Sequence, residues 1–332
     1  MSSLTGCGEK NKRIWFLTAL AVPVLQAASG CSWLTALGLG ILCLGISLGL
    51  ESLGVPEVKW LLGIQWVWMI VILSAVLGWS VDCWSMDSLV VPGTLLLLAA
   101  WSASSGEEQC MRAGNILRFF IVALLGAVLL SGLWDIKTGN LRPNWRMDNN
   151  DLVTVLLLPA AGMGMGGKGP GQKIFLMALT LASSTIVTGV LSGPYAAEQT
   201  SAFYELSKSI RLLGTAERFE SLAAAGMTLG YYVFAGWSLS LCGRWAEAAT
   251  KKKTSRMVWL SAAAAFVGFY IKWQKNNIFV PLGTVIVFVF VPLAAALINK
   301  WGKRKKNLEK IEKVLDKVAR RWYYMQAVRK RR

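Results

Sequence analysis

The residues most suggestive of chemistry are glycines. The stretch "LLLPAAGMGMGGKGPGQK" (Leu156–Lys173) carries G-x-G-x-x-G at Gly162, Gly164 and Gly167, with Lys168 directly behind. Such a loop can cradle a phosphate, because bare backbone N–H groups approach the anion and the lysine adds charge. The context that this chemistry needs is missing. A phosphate loop follows a soluble strand and opens a helix, often with Ser or Thr after the lysine. Here the apolar run Leu152–Pro159 precedes the glycines, and Gly169 and Pro170 follow Lys168. No hydroxyl stands ready for magnesium, and the next acid, Glu198, lies too far on. The alternative is a membrane helix interrupted by glycine, or a plain glycine-rich loop between two helices.

Other chemistries fall away on composition. The chain has no histidine, so a Ser-His-Asp triad and histidine base chemistry are excluded. Its six cysteines (Cys7, Cys31, Cys43, Cys83, Cys110, Cys242) form no C-x-x-C pair, so no metal and no cofactor is expected. Ionisable groups are nearly absent from the apolar runs; Glu51, Asp82 and Asp87 fall at their ends. With no carboxylate pair at depth, neither proton coupling nor hydrolysis has a candidate, and the chain is not expected to be an enzyme. The polar groups at depth are hydroxyls and amides: Gln26, Gln65, Thr180, Ser183, Ser184, Thr185, Thr188, Thr228, Tyr231, Ser238 and Ser240. Small hydroxyls often serve close helix packing, whereas Gln65, in "IQWVW", has no easy partner in lipid.

The elements that must position these groups are membrane spans. The 332 residues are 55% hydrophobic and 16% charged, and apolar runs near bilayer length recur along the chain. Ten segments result: Ile14–Ala28, Trp33–Leu50, Trp60–Trp79, Leu89–Ser104, Ile116–Trp134, Leu152–Met165, Ile174–Leu191, Leu222–Cys242, Val258–Trp273 and Ile278–Ile298. A cleaved leader is not expected, since further spans follow the first at once. The expected fold is all-α and polytopic, with about ten transmembrane helices. Ten spans put both termini on one side, and 27 of the 35 lysines and arginines then share that side. The positive-inside rule makes it the cytoplasmic face of the cell membrane.

The organisation is therefore a cytoplasmic N-terminus (1–13), a transmembrane permease-like unit (14–299) and a basic tail (300–332). The tail holds 14 lysines and arginines against Glu309, Glu312 and Asp316, out of a net charge of +17. That charge is juxtamembrane, so anionic inner-leaflet lipids are the expected partner rather than nucleic acid. Leu308, Ile311, Leu315, Val318, Trp322 and Met325 recur at spacings of three and four, a stripe suited to a helix on the leaflet or against a partner.

Transporters built from inverted repeats interrupt corresponding helices of the two halves at the substrate site. In a five-plus-five arrangement these are helices one and six. The sixth carries the glycine loop; the first is short, holds Pro23 and ends in "QAASG" (Gln26–Gly30). Bare backbone at the two breaks can hold a carboxylate on N–H groups and an ammonium on carbonyls. The candidate ligand cradle is Gln26, Ala27, Ser29 and Gly30 with Gly162, Gly164 and Gly166, and Gln65 is a further candidate.

"YELSKSIRLLGTAERFESLAAAGMTLGYYVFAG" (Tyr204–Gly236) resembles the spore permease family, the membrane-embedded B subunit of spore germinant receptors. The most specific piece is Glu-Arg-x-Glu at Glu217, Arg218 and Glu220, opening the eighth helix. "VPVLQAASGCSWLT" (Val22–Thr35) resembles that family's end of helix one, and "RAGNILRFF" (Arg112–Phe120) its arginine-rich start of helix five. The resemblance implies the amino acid–polyamine–organocation superfamily and a LeuT-like fold. It also implies a subunit that binds a small germinant, often an amino acid, beside an A-type subunit and a lipoprotein C-type subunit. Glu217, Arg218 and Glu220 are then an outer gate, a contact holding the preceding amphipathic stretch, or acids that stabilise a helix start. An active amino-acid transporter of the same superfamily and a membrane scaffold with a vestigial pocket are the other two readings.

Two departures stand out. Segment one reaches only about 22 Å at 1.5 Å per residue, and segment six is similar. The cytoplasmic halves of both helices are expected to be missing, which favours sensing over transport. If the glycines form the cradle, Gly164→Val abolishes protection of the chain by its ligand in a thermal-shift assay. Unchanged protection would remove the loop from the site.

Overall fold

The computed structural model describes residues 2–54, 58–82, 89–141, 171–199, 201–210, 219–271 and 279–301. The glycine loop, Glu217, Arg218 and the tail beyond residue 301 lie outside them. Every regular element among the described residues is helical. The long helices are α1 (Ser2–Ser29), α2 (Trp33–Leu53), α3 (Lys59–Asp82), α4 (Val90–Ser104), α5 (Glu107–Trp134) and α6 (Gly171–Leu191). Two short helices follow, α7 (Gly193–Glu198) and α8 (Ala202–Ser209), and then α9 (Phe219–Thr250) and α10 (Thr254–Tyr270). The last, α11, starts as Phe279–Val285, widens into a π-helical turn over Ile286–Phe290 and continues to residue 301. Pro292 accounts for that turn: its ring opposes the carbonyl of Phe288, and the wider turn before it relieves the clash.

Five helices, α2, α3, α5, α6 and α11, are long and apolar enough to cross a membrane. The chain is thus an all-helical, multi-pass membrane protein. Their lipid-facing sides stay apolar, as Ile41, Val67, Phe119 and Val122 illustrate. Trp134, at the end of α5, is 90% exposed, where an aromatic ring meets the interface.

The expected shortness of helix one is overturned. α1 runs unbroken for 28 residues, about 42 Å, through Pro23 to Ser29. Counting apolar residues measured only the part immersed in lipid, while Ser2–Arg13 continues the same helix in polar residues. Ser2–Arg13 therefore forms the first turns of α1. Pro23 withholds one N–H from the carbonyl of Ala19 without ending the helix. The eighth segment is also longer than its apolar run: α9 has 32 residues.

α9 is the centre of the bundle, packing on α1, α3, α4, α5 and α10. Ala223, Leu239, Cys242 and Ala246 are fully enclosed. A helix hidden from lipid needs no lipid-like hydropathy, and small residues let its neighbours come close. The closest approach is at Gly230, where a Cβ would lie 2.0 Å from Val22 Cγ2 of α1. Gly236 gives similar room to Cys110 of α5, and Gly243 to Thr254 and Val258 of α10.

Hydroxyls and indoles tie the remaining helices. Trp66 Nε1 donates to Ser261 Oγ at 2.9 Å, and Trp68 Nε1 to Thr284 Oγ1 at 2.9 Å. Ser74 Oγ donates to the Ala265 carbonyl at 3.1 Å. Together these hold α3 to α10 and α11 without charge.

At the α1–α9 crossing, Gly230→Ala is expected to destabilise the chain by about 1–3 kcal/mol, because the added methyl must displace Val22. Adding Val22→Gly restores the space. Thermal unfolding in detergent should show the single variant low and the double variant recovered towards wild type.

Candidate functional site

α1 ends inside the protein, so its last carbonyls need partners other than water. Three come from the turn itself. Ser29 Oγ donates to the Gln26 carbonyl (2.7 Å), Cys31 Sγ to that of Ala27 (3.8 Å), and the Cys31 N–H to that of Ala28 (3.0 Å). Two more come from α6, whose "LASST" run faces α1. Ser183 Oγ donates to the Leu25 carbonyl at 2.9 Å, and Ser184 Oγ to the Cys31 carbonyl at 2.7 Å. Ser201, just before α8, donates to Gln26 Oε1 at 3.1 Å.

All of Gln26, Ala27, Ser29, Cys31, Ser183, Ser184 and Ser201 are buried. The result is a polar shell around a helix end, built among the described residues from hydroxyls, one amide, a thiol and backbone carbonyls. These named groups carry no fixed charge. A zwitterion or neutral polar molecule suits such a shell, while a lone ion would go unneutralised.

Neighbouring elements fix the shell. Ser32 caps α2, its Oγ accepting from the Thr35 N–H at 3.3 Å, which sets the turn after Gly30. The 3₁₀ turn Thr138–Leu141 closes over the same end. Its Leu141 carbonyl accepts from Trp33 Nε1, and Asn140 Nδ2 caps α6 through the Gly189 carbonyl, both at 3.0 Å. α8 lies against this end by Phe203 and Leu206, both fully buried.

The candidates from sequence are partly gathered. Gln26, Ala27 and Ser29 stand together, joined by Ser183, Ser184 and Ser201, and Gly30 lies in the half-exposed turn. Gln65 is buried on α3, which packs on α4, α9, α10 and α11 rather than on α1, so it belongs to a different part of the bundle. Gly162, Gly164 and Gly166 lie outside the described residues. The pKa of Lys208 on α8 is raised, chiefly by its hydrogen bond to Glu205 (2.7 Å) and least by the charge of Glu220, which opens α9. A raised lysine pKa means that this pairing is present below the usual lysine range and fades as pH climbs through the folded value. Lys208 is well exposed, so its contribution is small.

The opposite end of α1 holds a group that composition did not flag. Glu107, in the first turn of α5, pairs with Lys12 of α1 (3.5 Å) and Arg244 of α9 (3.3 Å). One carboxylate thus fastens three helices. The available signal was the Glu107–Glu108 pair ahead of an apolar run, but nothing in it names the partners. Apart from the α1 end, Trp15 Nε1 and Ser238 Oγ are buried without a hydrogen-bond partner on α1 and α9. No group of metal-ligating side chains is present among the described residues.

No protein-family model matches the chain, and no curated protein matches it. Fold and site alone define the class: a multi-pass helical membrane protein whose first helix ends in a buried, uncharged polar shell.

Ser184→Ala removes the hydrogen bond to the Cys31 carbonyl and should cost about 0.6–2 kcal/mol in detergent unfolding. Thr185→Ala should cost less than about 0.5 kcal/mol, since that hydroxyl only bonds back to Leu181 within its own helix. Equal effects would show that the shell does not depend on the α1–α6 bond.

Proposed function

We propose that this chain is the membrane-embedded sensing subunit of a spore germination receptor, binding a small zwitterion such as an amino acid at the end of α1. The observation that carries the binding part is the shell of Gln26, Ser29, Ser183, Ser184 and Ser201 around a buried helix end. The receptor part rests on the residues Glu217, Arg218 and Glu220, "VPVLQAASGCSWLT" and "RAGNILRFF". Ten spans in a five-plus-five, LeuT-like arrangement belong to this proposal, with helix six interrupted at the glycine loop. So do cytoplasmic termini, the A-type and lipoprotein C-type partner subunits, and lipid contact through the basic tail.

In this reading the ligand ammonium meets the carbonyls at the end of α1 and the Gln26 amide oxygen, and its carboxylate meets the serine hydroxyls of the shell. Nothing charged has to be paid out in desolvation on the protein side. Binding exchanges the Ser201–Gln26 hydrogen bond for ligand contacts, which couples the pocket to α8 and so to the face on which a partner subunit can read it.

One observation favours the second reading, active transport. α1 is full length, and Lys12, Glu107 and Arg244 close the end away from the shell. A reversible closure at that end is what alternating access requires. With 28 residues, α1 is not the truncated helix that would speak against transport.

Thermal-shift screening of the purified full chain against amino acids, sugars and nucleosides tests the binding reading. An amino acid should raise the unfolding temperature, and Gln26→Ala should remove the rise. No rise with any of the three classes would sink the pocket. Radiolabelled uptake of the stabilising amino acid in proteoliposomes then separates the readings: none is expected of a sensor, and concentrative uptake would establish a transporter.

A further inference from the structure

The end of the bundle where α1 begins carries a second, unrelated surface. The α9–α10 turn presents Lys251, Lys252 and Lys253 in succession, and Arg256 follows on the first turn of α10. All four side chains are exposed. Lys59 and Trp60 open α3 beside them, because Gly63 of α3 lies against Ala249 of α9 (3.8 Å to its built Cβ). Five cations from two separate parts of the chain therefore share one end.

None of the five is in an ion pair among the described residues; the one carboxylate in the turn, Glu247, accepts a hydrogen bond from Thr254 instead. Glu247 also fixes the turn through its carbonyl, which accepts the Lys251 N–H at 2.7 Å. Lys251 is held at φ 60°, a backbone conformation that glycine adopts more readily. The turn is rigidly shaped, and its cations are left for something outside the chain.

What lies next to the cations identifies that partner. Trp60 is 49% exposed and Trp259, one turn beyond Arg256, is 44% exposed. Exposed Leu260 and Val267 continue along α10. Cation, then indole, then aliphatic surface follows the profile of a leaflet from headgroup to acyl chain. An acidic protein would find the charge but would not need an aromatic and aliphatic face descending from it.

We infer that Lys59, Lys251, Lys252, Lys253 and Arg256, with Trp60 and Trp259, form a docking surface for anionic phospholipid headgroups. The surface is separate from the tail and independent of the ligand reading of α1. Its cations sit on α3, on α10 and in the turn that directly follows α9, so lipid bound there grips the end of the central helix rather than a terminal extension.

The test uses the full chain in vesicles of phosphatidylcholine, alone or mixed with phosphatidylglycerol. Bound phosphatidylglycerol is counted by native mass spectrometry, and unfolding temperature is read alongside. Changing the five cations to Gln should weaken phosphatidylglycerol binding by about tenfold or more. The loss should appear equally when the basic residues of the tail are already neutralised. A set of Lys→Arg changes should keep the binding, and the unfolding temperature in phosphatidylcholine alone should stay at wild type. If the five-site variant does not fold, Lys252→Gln with Lys253→Gln is read instead, with a smaller loss expected. Phosphatidylglycerol binding at wild-type level in either folded variant overturns the inference. So does equal competition by inorganic phosphate or a soluble acidic peptide, which would make the surface a general anion or protein contact.

Discussion

The architecture depends on the contact between α1 and α9. Gly230 has no side chain where Val22 presses in, and a single methyl there would overlap it. That closeness lets α9 serve as a hub enclosed on all sides, and it fixes where α1 begins and ends. Lipid supplies no hydrophobic drive between helices, so such packing and a few polar bonds must hold them together. Gly236 and Gly243 repeat the device along the same helix, one turn of the bundle after another. The hub carries the fold because it has been stripped of side-chain volume.

The two ends of α1 are consequences of that placement, and they differ in kind. At one end Glu107 bridges Lys12 and Arg244, in a setting exposed enough for charge to be stable. At the other the helix stops within the protein, where charge would be costly and hydroxyls are not. Ser183 and Ser184 donate to the carbonyls of Leu25, in the last turns of α1, and of Cys31, just beyond it. A helix end held this way is both a structural necessity and a place at depth where backbone polarity gathers. Its neighbours, Ser201 and α8, give any change there a route to the surface.

Some of this was legible in advance. Repeated apolar runs announced a helical membrane protein, and the runs corresponding to α2, α3, α5, α6 and α11 are long enough on their own to span a bilayer. Gln26 and Ser29 stood out as polar residues at an apolar helix end, and the structure buries them together. α1 and α9 were misjudged in length, because hydropathy sees lipid contact and neither helix depends on it. The split between Gln26 and Gln65 was invisible too: both are amides in apolar runs, and only packing assigns them to different neighbours. Nothing in the sequence pointed to Glu107; only the fold brings cations from two other helices to it.

The sequence by itself determined the class: all-helical, multi-pass, without histidine chemistry, with its charge held outside the apolar runs. Those properties follow from local composition, which each segment carries regardless of its partners. The tertiary structure alone decided that α9 is central, that α1 is whole, and that serines of α6 complete the end of α1. These are relations between residues far apart in the chain. They arise from which surfaces fit closely enough to exclude lipid, and no local pattern records that fit.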